Sequence, residues 1–208
     1  MYRTEQEAFW SGEFGDAYIE RNTGTSFHAS ATVRMTRILA RTRDVRSVLE
    51  LGANVGNNLV ALCTLLPHAR LAGVEINEAA FRRLQKVPGV NAHHGSILDY
   101  RQQDPVDLDF TCGVLIHIDP NELPRVYETL YEASNRYIAV CEYYNPSPVE
   151  VPYRGHAGRL FKRDFAGDLM SRYPDLRLVD YGFIYRRDPV FSGDDLTWFL
   201  MEKRGRTS

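Results

Sequence analysis

Glu50, Gly52 and Gly56 lie close together in the run Val48-Leu-Glu-Leu-Gly-Ala-Asn-Val-Gly-Asn-Asn58, which reads as a strand entering a glycine-containing turn that opens a helix. Glycines let such a backbone bend and approach a ligand closely, and the free amides of the helix start attract a carboxylate or phosphate. The turn alone suits either a dinucleotide or S-adenosylmethionine (SAM). Glu50 separates the two. A pyrophosphate brings negative charge that a carboxylate two residues before Gly52 repels, whereas SAM brings a protonated amine and a sulfonium that it attracts. Asn54 and Asn57 also stand where the dinucleotide fingerprint G-x-G-x-x-G has its second and third glycines.

Two further segments fit the same ligand. Glu75 closes the next strand in Gly73-Val-Glu-Ile76-Asn77, where a carboxylate can accept both hydroxyls of a ribose; an exposed strand-end glutamate is the plain alternative. In Gly95-Ser-Ile-Leu-Asp99, Ser96 can bond an adenine amino group and the Ile97 amide a ring nitrogen, while Asp99 can equally be a turn cap. Further along, His117 and Glu142 close the fourth and fifth strands and are candidate general bases, with a structural hydrogen-bonding role as the alternative for each. Tyr143 and Tyr144 follow as acceptor-binding candidates. The connection Tyr153-Arg-Gly-His-Ala-Gly-Arg-Leu-Phe-Lys-Arg-Asp164 gathers Arg154, His156, Arg159, Lys162 and Arg163, either to clamp a carboxylate or phosphate or as a solvated basic loop.

The elements that position these residues alternate in type. Strand-like runs at 45–52, 69–76, 90–97, 108–118 and 136–144 are interleaved with helical periods at 55–66, 77–87 and 121–134, the pattern of a mostly parallel sheet covered by helices. About ten residues separate the third and fourth strands, so that crossover helix is rudimentary. Strands at 176–186 and 194–204, joined through Asp188-Pro189 and Ser192-Gly193, read as an antiparallel hairpin. Residues 1–40 are amphipathic and aromatic-rich. Phe14 and Tyr18 at helical spacing either pack a first helix on the sheet or form a lid over the ligand, with Tyr18 and Arg21 beside it.

With its motifs in this order, residues 44–204 resemble the class I SAM-dependent methyltransferases. That resemblance implies an α/β, Rossmann-like, doubly wound and mostly parallel seven-stranded sheet with a terminal antiparallel strand and helices on both faces. It implies that Glu50, Gly52 and Gly56, with Asn54 and Asn58, surround the methionine end of SAM. Glu75 and Ile76 would hold the ribose, and Ser96 and Ile97 the adenine. Asn54 departs from the glycine common in that turn, and Ser96 from the aspartate of many relatives. The segment Thr4–Asn22, together with Gly52–Asn58, resembles more narrowly the small methylases associated with biosynthesis of pseudaminic acid, a nonulosonic sugar. The division that follows is a helical lid over 1–40 and a methyltransferase domain over 41–208. The expected activity is methyl transfer (EC 2.1.1 type) from SAM, yielding S-adenosylhomocysteine (SAH), to oxygen or nitrogen of a small acceptor carrying a carboxylate or phosphate.

Bulk properties narrow the classes. The 208 residues suffice for one well-buried α/β domain. A net charge of −2 offers no general attraction to nucleic acid or membrane. His117-Ile-Asp-Pro-Asn121 is not the Asn/Asp-Pro-Pro-aromatic motif of base-modifying relatives, and Asn145-Pro-Ser-Pro148 follows the wrong strand. A nucleic-acid methyltransferase is therefore the first rival reading and a non-catalytic SAM-binding subunit the second. Neither a signal peptide nor a span of about 20 apolar residues is legible, and a cytoplasmic location is expected. Cys63, Cys112 and Cys141 are far apart in apolar runs, so buried reduced thiols are expected, with no metal.

Overall fold

Apolar residues alternate along the central strands, and each set finds its own helical layer. In the computed structural model, which describes residues 2–21 and 25–204, the strands are β1 (Ser47–Leu51), β2 (Arg70–Glu75), β3 (Val90–His94), β4 (Val106–Cys112) and β5 (Ser134–Glu142). A short antiparallel pair follows, β6 (Val149–Glu150) and β7 (Phe161–Lys162), and then β8 (Leu176–Ile184) and β9 (Leu196–Lys203). The seven-stranded sheet has the order β3-β2-β1-β4-β5-β9-β8, with β9 antiparallel to both of its neighbours. The helices are α1 (Glu5–Ser11), α2 (Glu13–Arg21), α3 (Thr25–Leu39), α4 (Asn57–Leu65), α5 (Glu78–Leu84), α6 (Leu123–Ala133) and α7 (Phe165–Arg172).

Tyr137, Ala139 and Cys141 of β5 pack toward α3 and α4, while Ile138 and Val140 pack toward α6 and α7. This period of two is what a strand buried on both faces requires. The Rossmann-like doubly wound sheet with helices on both faces is therefore present. Chain order reverses between β1 and β4, and the crevice beyond their carboxyl ends is where such sheets bind ligands.

Three features differ from the sequence expectations. β4 stops at Cys112 rather than running to 118, because Gly113 turns left-handed (φ +68) and residues 115–117 form a 3-10 turn. His117 therefore stands on that turn and not on a strand end. The chain after 145 contains α7, started by Asp164, whose carboxylate accepts from the Gly167 amide at 2.8 Å. Of residues 1–40, α3 belongs to the body of the fold: Ala31, Met35 and Ile38 are fully buried against the sheet and α4.

α1 and α2 lie over the carboxyl ends of the strands. Thr4 and Glu7 form a capping box, with Thr4 Oγ1 accepting from the Glu7 amide at 3.1 Å and Glu7 Oε2 from the Thr4 amide at 3.2 Å. The corner between the two helices is seated on Asn77. Its Oδ1 caps α5 at the Ala80 amide (2.9 Å), and its Nδ2 donates to Trp10 O (3.2 Å) and Asp16 Oδ1 (2.8 Å). Gly15 permits this approach, since a Cβ there would lie 1.8 Å from Trp10 O. Asn77→Ala should lower stability by about 0.5–2 kcal/mol, the usual cost of a lost cap, and should raise amide exchange in α1 and α2 above that in α4. Urea unfolding with hydrogen exchange checks this; unchanged exchange in α1 and α2 would detach the corner from Asn77.

Candidate active site

Beyond β1 the chain turns with little steric freedom. Gly52 is left-handed (φ +80), and a Cβ there would meet Val114 Cγ2 at 2.5 Å, so no larger residue fits without displacement. The Gly52 and Ala53 amides both donate to Val74 O at 2.9 Å. Asn54, also left-handed (φ 48), donates its amide to Glu75 Oε2 at 2.7 Å, and the Asn77 amide meets Glu75 Oε1 at 2.7 Å. Asparagine tolerates this backbone better than most residues. Glu75 is thus fixed by backbone at the end of β2. Burial raises its carboxyl above the ordinary range, and these amide bonds oppose the shift.

Glu50 is almost fully buried on β1. Its Oε1 accepts from Asn58 Nδ2 at 2.5 Å, and Asn58 Oδ1 accepts in turn from Arg34 at 2.5 Å. Glu50 Oε2, Asn54 Oδ1 and Arg34 Nε are all buried without a partner, and all three residues line one polar cavity of about 320 Å³. Two acceptors and one guanidinium donor left over at one place match the ammonium and carboxylate of an α-amino acid. Burial pushes the Glu50 carboxyl well above the usual carboxylate range, with Asn58 and Arg34 opposing. A bound ammonium would bring it back down.

A second cavity of about 150 Å³ shares Tyr18, Gly52, Asn54, Cys112, Gly113 and His117 with the first. Glu75, Ile76, Ser96 and Ile97 line it, so the residues expected to hold ribose and adenine come together. Ser96 is not free, however. Its hydroxyl donates to Glu7 Oε1 and accepts from the Leu98 amide at 3.0 Å, so α1 already uses the group expected to face adenine. Asp99 pairs with Arg3 at 2.8 Å and Arg125 at 3.3 Å, and the Arg3 hydrogen bond foremost holds its carboxyl below the usual range. The Arg21 side chain lies outside the described residues, as does the backbone of Asn22.

His117 stands at the junction of the two cavities. Its Nδ1 lies 2.6 Å from Arg159 O, and a carbonyl only accepts, so Nδ1 carries the proton and Nε2 keeps its lone pair. Burial holds the imidazole down to about 4, with the Arg159 bond opposing, and Trp10 and Tyr153 pack on it at ring-centroid distances of 4.5 and 4.9 Å.

The expectation for Glu142 as a base is corrected. Its Oε1 accepts from the Val114 and Leu115 amides at 3.1 Å each and its Oε2 from Ile116 at 3.5 Å, and it lines neither of these cavities nor a third, outer one of about 510 Å³. It holds the turn that carries His117, and burial pushes its carboxyl up to about 8.

The basic clamp is corrected as well. Arg159 turns to Glu5 (3.3 Å) and the Phe9 ring, His156 packs on Phe9 and Phe14, and Arg163 pairs with Asp168 at 3.3 Å. Arg154 is exposed with its guanidinium over Tyr153, which leaves Lys162 alone among the five lining a cavity. Tyr143 and Tyr153 line the polar cavity, while Tyr144 lines only the outer one. Among the described residues no group of three or more His, Cys, Asp or Glu side chains is placed to hold a metal.

Arg34, Glu7 and Asp194 were not anticipated, whereas Trp10 belongs to the aromatic N-terminal set expected to pack a first helix or form a lid. Arg34 had a legible signal, a charge inside the buried stripe Ala31, Met35, Ile38 of α3. Glu7 had the capping-box spacing from Thr4.

No protein-family model and no curated protein matches the chain. Solved structures do. Magnesium protoporphyrin IX methyltransferase (ChlM) from Synechocystis PCC 6803 with bound SAM superposes with a TM-score of 0.71 at 10% identity, over 98% of this chain and all of that one. The plantazolicin methyltransferase BpumL, solved with a desmethylPZN analog and SAH, gives 0.66 at 15% identity, over 95% and 93% of the two chains. SAM-bound CalS10, an amino pentose methyltransferase from Micromonospora echinaspora, gives 0.63 at 14%, over 93% and 97%. At these identities the likeness establishes the Rossmann-like methyltransferase fold.

His117 makes a pH prediction. Its folded value, about 4, lies below the ordinary 6.5 or so of an unfolded histidine. The unfolded chain therefore binds more protons between the two values, and stability falls as pH drops through that window and is complete above it. His117→Gln should remove roughly 3 kcal/mol of the parent's stability loss between pH 6.5 and 4. Urea midpoints at both pH values decide; parallel losses in parent and variant would mean that the imidazole is not buried neutral.

Proposed function

We propose that the protein is a SAM-dependent methyltransferase acting on a small molecule. The observation that carries this reading is the convergence of Glu50 Oε2, Asn54 Oδ1 and Arg34 Nε, buried and unpartnered, in one cavity beside a second that ends on Glu75. SAM is the ligand with an amino acid at one end and a ribose and base at the other. Glu50 and Asn54 receive its ammonium and Arg34 its carboxylate. Glu75, whose two oxygens each retain acceptor capacity beyond the one amide bond they hold, receives the ribose hydroxyls. Ile76, Ile97 and Leu98 enclose the base. When bound, SAM supplies an electrophilic methyl group.

The chain's own part is to align an acceptor with that methyl group, exclude water and take a proton. Tyr18 and His117 line both cavities and so flank the point where the two reactants meet. His117 Nε2 is the base: burial keeps the imidazole neutral, and the Arg159 carbonyl holds its proton on Nδ1 so that Nε2 keeps the lone pair. Glu142 positions it through the 114–116 amides. This base favours an enzyme over a non-catalytic SAM-binding subunit. A nucleic-acid substrate is disfavoured, because the basic side chains after β5 are turned to α1 and α7 rather than arrayed on one surface.

α1 and α2 act as the lid, since entry to the adenosine cavity requires their contacts at Ser96, Asp99 and Asn77 to part. The resemblance of Thr4–Asn22 to nonulosonic-sugar methylases makes an acidic sugar one acceptor to assay. Free thiols at Cys63, Cys112 and Cys141 suit the cytoplasm, and no helix among the described residues is long and apolar enough to cross a membrane.

Calorimetric titration with SAH and with NAD tests the ligand assignment. SAH should bind and NAD should not, and Glu75→Ala should weaken SAH by about 1–3 kcal/mol, the scale of a lost hydrogen bond to a charged group. Binding of NAD, or unchanged SAH affinity in Glu75→Ala, would overturn it. Arg3→Ala loosens the lid and should speed SAH dissociation several-fold; an unchanged rate in stopped flow would remove the latch.

A further inference from the structure

The polar cavity continues past Tyr143 and Asp194 into an outer, more open one of about 510 Å³, walled also by Tyr144, Lys162 and Phe183. The path carries charges of both signs. Arg186 and Asp195 at its rim pair with each other at 3.3 Å and are thereby spent. Asp194 and Lys162 are not. Asp194 lines both cavities and makes no hydrogen bond or ion pair among the described residues. Burial first and the charge of Asp194 second push the Tyr143 hydroxyl up to about 12, and the same charge acts on the buried Arg34 guanidinium deeper in the polar cavity. Lys162 lines only the outer cavity, and its ammonium stands 5.1 Å from the centre of the Tyr143 ring with no carboxylate on it.

Asp194 is an exposed carboxylate at the open end of the polar cavity, where its charge attracts a cation, and the neighbouring faces of Tyr143 and Tyr153 suit an ammonium. A lysine at the mouth, past the same tyrosine, favours an anion. Beyond Arg34, the order from Asp194 outward is thus negative, aromatic, positive.

We propose that the acceptor is a zwitterionic small molecule, its amino group held by Asp194 between Tyr143 and Tyr153 and its acidic group held further out by Lys162. This rests on the methyl-transfer reading of the site and names its substrate class. The amino group lies on the His117 side, so the nitrogen is the atom to be methylated. The ammonium first gives up one proton, through His117 Nε2 to water, which leaves an electron pair on nitrogen; that pair forms the new N–C bond as the bond between the methyl carbon and the SAM sulfur breaks, with its electrons staying on sulfur in the departing SAH. The acidic group expected after β5 is retained in this account, held by Lys162 and not by Arg154 or Arg159.

The test uses three probes built on one benzene ring: 4-(aminomethyl)benzoate, benzylamine and 4-methylbenzoate. Each is titrated into the protein saturated with SAH. The zwitterion should bind at least about tenfold more tightly than either singly charged probe, the factor that corresponds to 1.4 kcal/mol. Asp194→Asn should abolish the advantage of the two amines and leave 4-methylbenzoate unchanged, and Lys162→Met should do the reverse. Equal affinities for the zwitterion and 4-methylbenzoate, no binding of any probe, or one common loss of all three in both variants would overturn the proposal. The comparison of probes on the parent protein decides even where a variant folds poorly. Failure of SAH itself to bind would remove the methyl-transfer reading as well, whereas normal SAH binding with indiscriminate probes removes only the acceptor class.

Discussion

Much of this structure is arranged around one costly group, the Glu50 carboxyl, buried on β1 with one oxygen bonded to Asn58 and the other to nothing. A buried acid without a full set of partners opposes folding. Burial pushes the Glu50 carboxyl well above the usual carboxylate range, and Asn58 and Arg34, aligned behind it, oppose that shift. Placing Asn58 there requires α4 to start at Gly56, and placing Arg34 requires α3 to pack against α4. The Gly52 turn then leaves the second oxygen facing the cavity. A fold optimised for stability alone would carry an apolar residue at this position. A retained, half-satisfied acid marks a place where a ligand completes the hydrogen bonding.

The cofactor half of the site was legible because its chemistry is local. Glu50, Gly52, Asn54, Gly56 and Asn58 sit in one run, and Glu75 closes the neighbouring parallel strand, so strand order alone brings them together. The seven-stranded sheet followed from period-two runs separated by helical segments of ordinary length. Two short-range signals carried less than they promised. The apolar stretch 108–118 reads as one strand, yet Gly113 and the Glu142 cap end it at Cys112. Ser96 lies where adenine is expected, yet Glu7, far away in sequence, takes its hydroxyl.

The acceptor half was less legible for a physical reason. Its walls come from α2, α3, the 3-10 turn, the segment after β5 and the loop before β9, and long flexible side chains settle by pairing across elements. Arg159 and Arg163 read as a cluster in sequence, but each has an acidic partner, Glu5 and Asp168, supplied by another part of the chain. What remains unpaired after such pairing, Asp194 and Lys162, is visible only in three dimensions. Glu142 shows the same lesson. Both of its oxygens are taken by backbone amides that a misplaced strand end concealed, which turns an apparent base into the support of the turn that carries His117.

Proton counting on ligand binding tests the central claim most directly. If Glu50 is protonated in the free protein because of burial, an arriving ammonium should return its carboxyl to the ionised form and release a proton. Calorimetric titration of SAH at pH 7 in two buffers of different ionisation enthalpy measures that proton. Release of up to about one proton per SAH in the parent, abolished together with roughly 1–3 kcal/mol of affinity in Glu50→Gln, is the expected result. Identical proton counts and identical SAH affinities in parent and variant would contradict the account, since the buried oxygen would then have no part in holding the ligand.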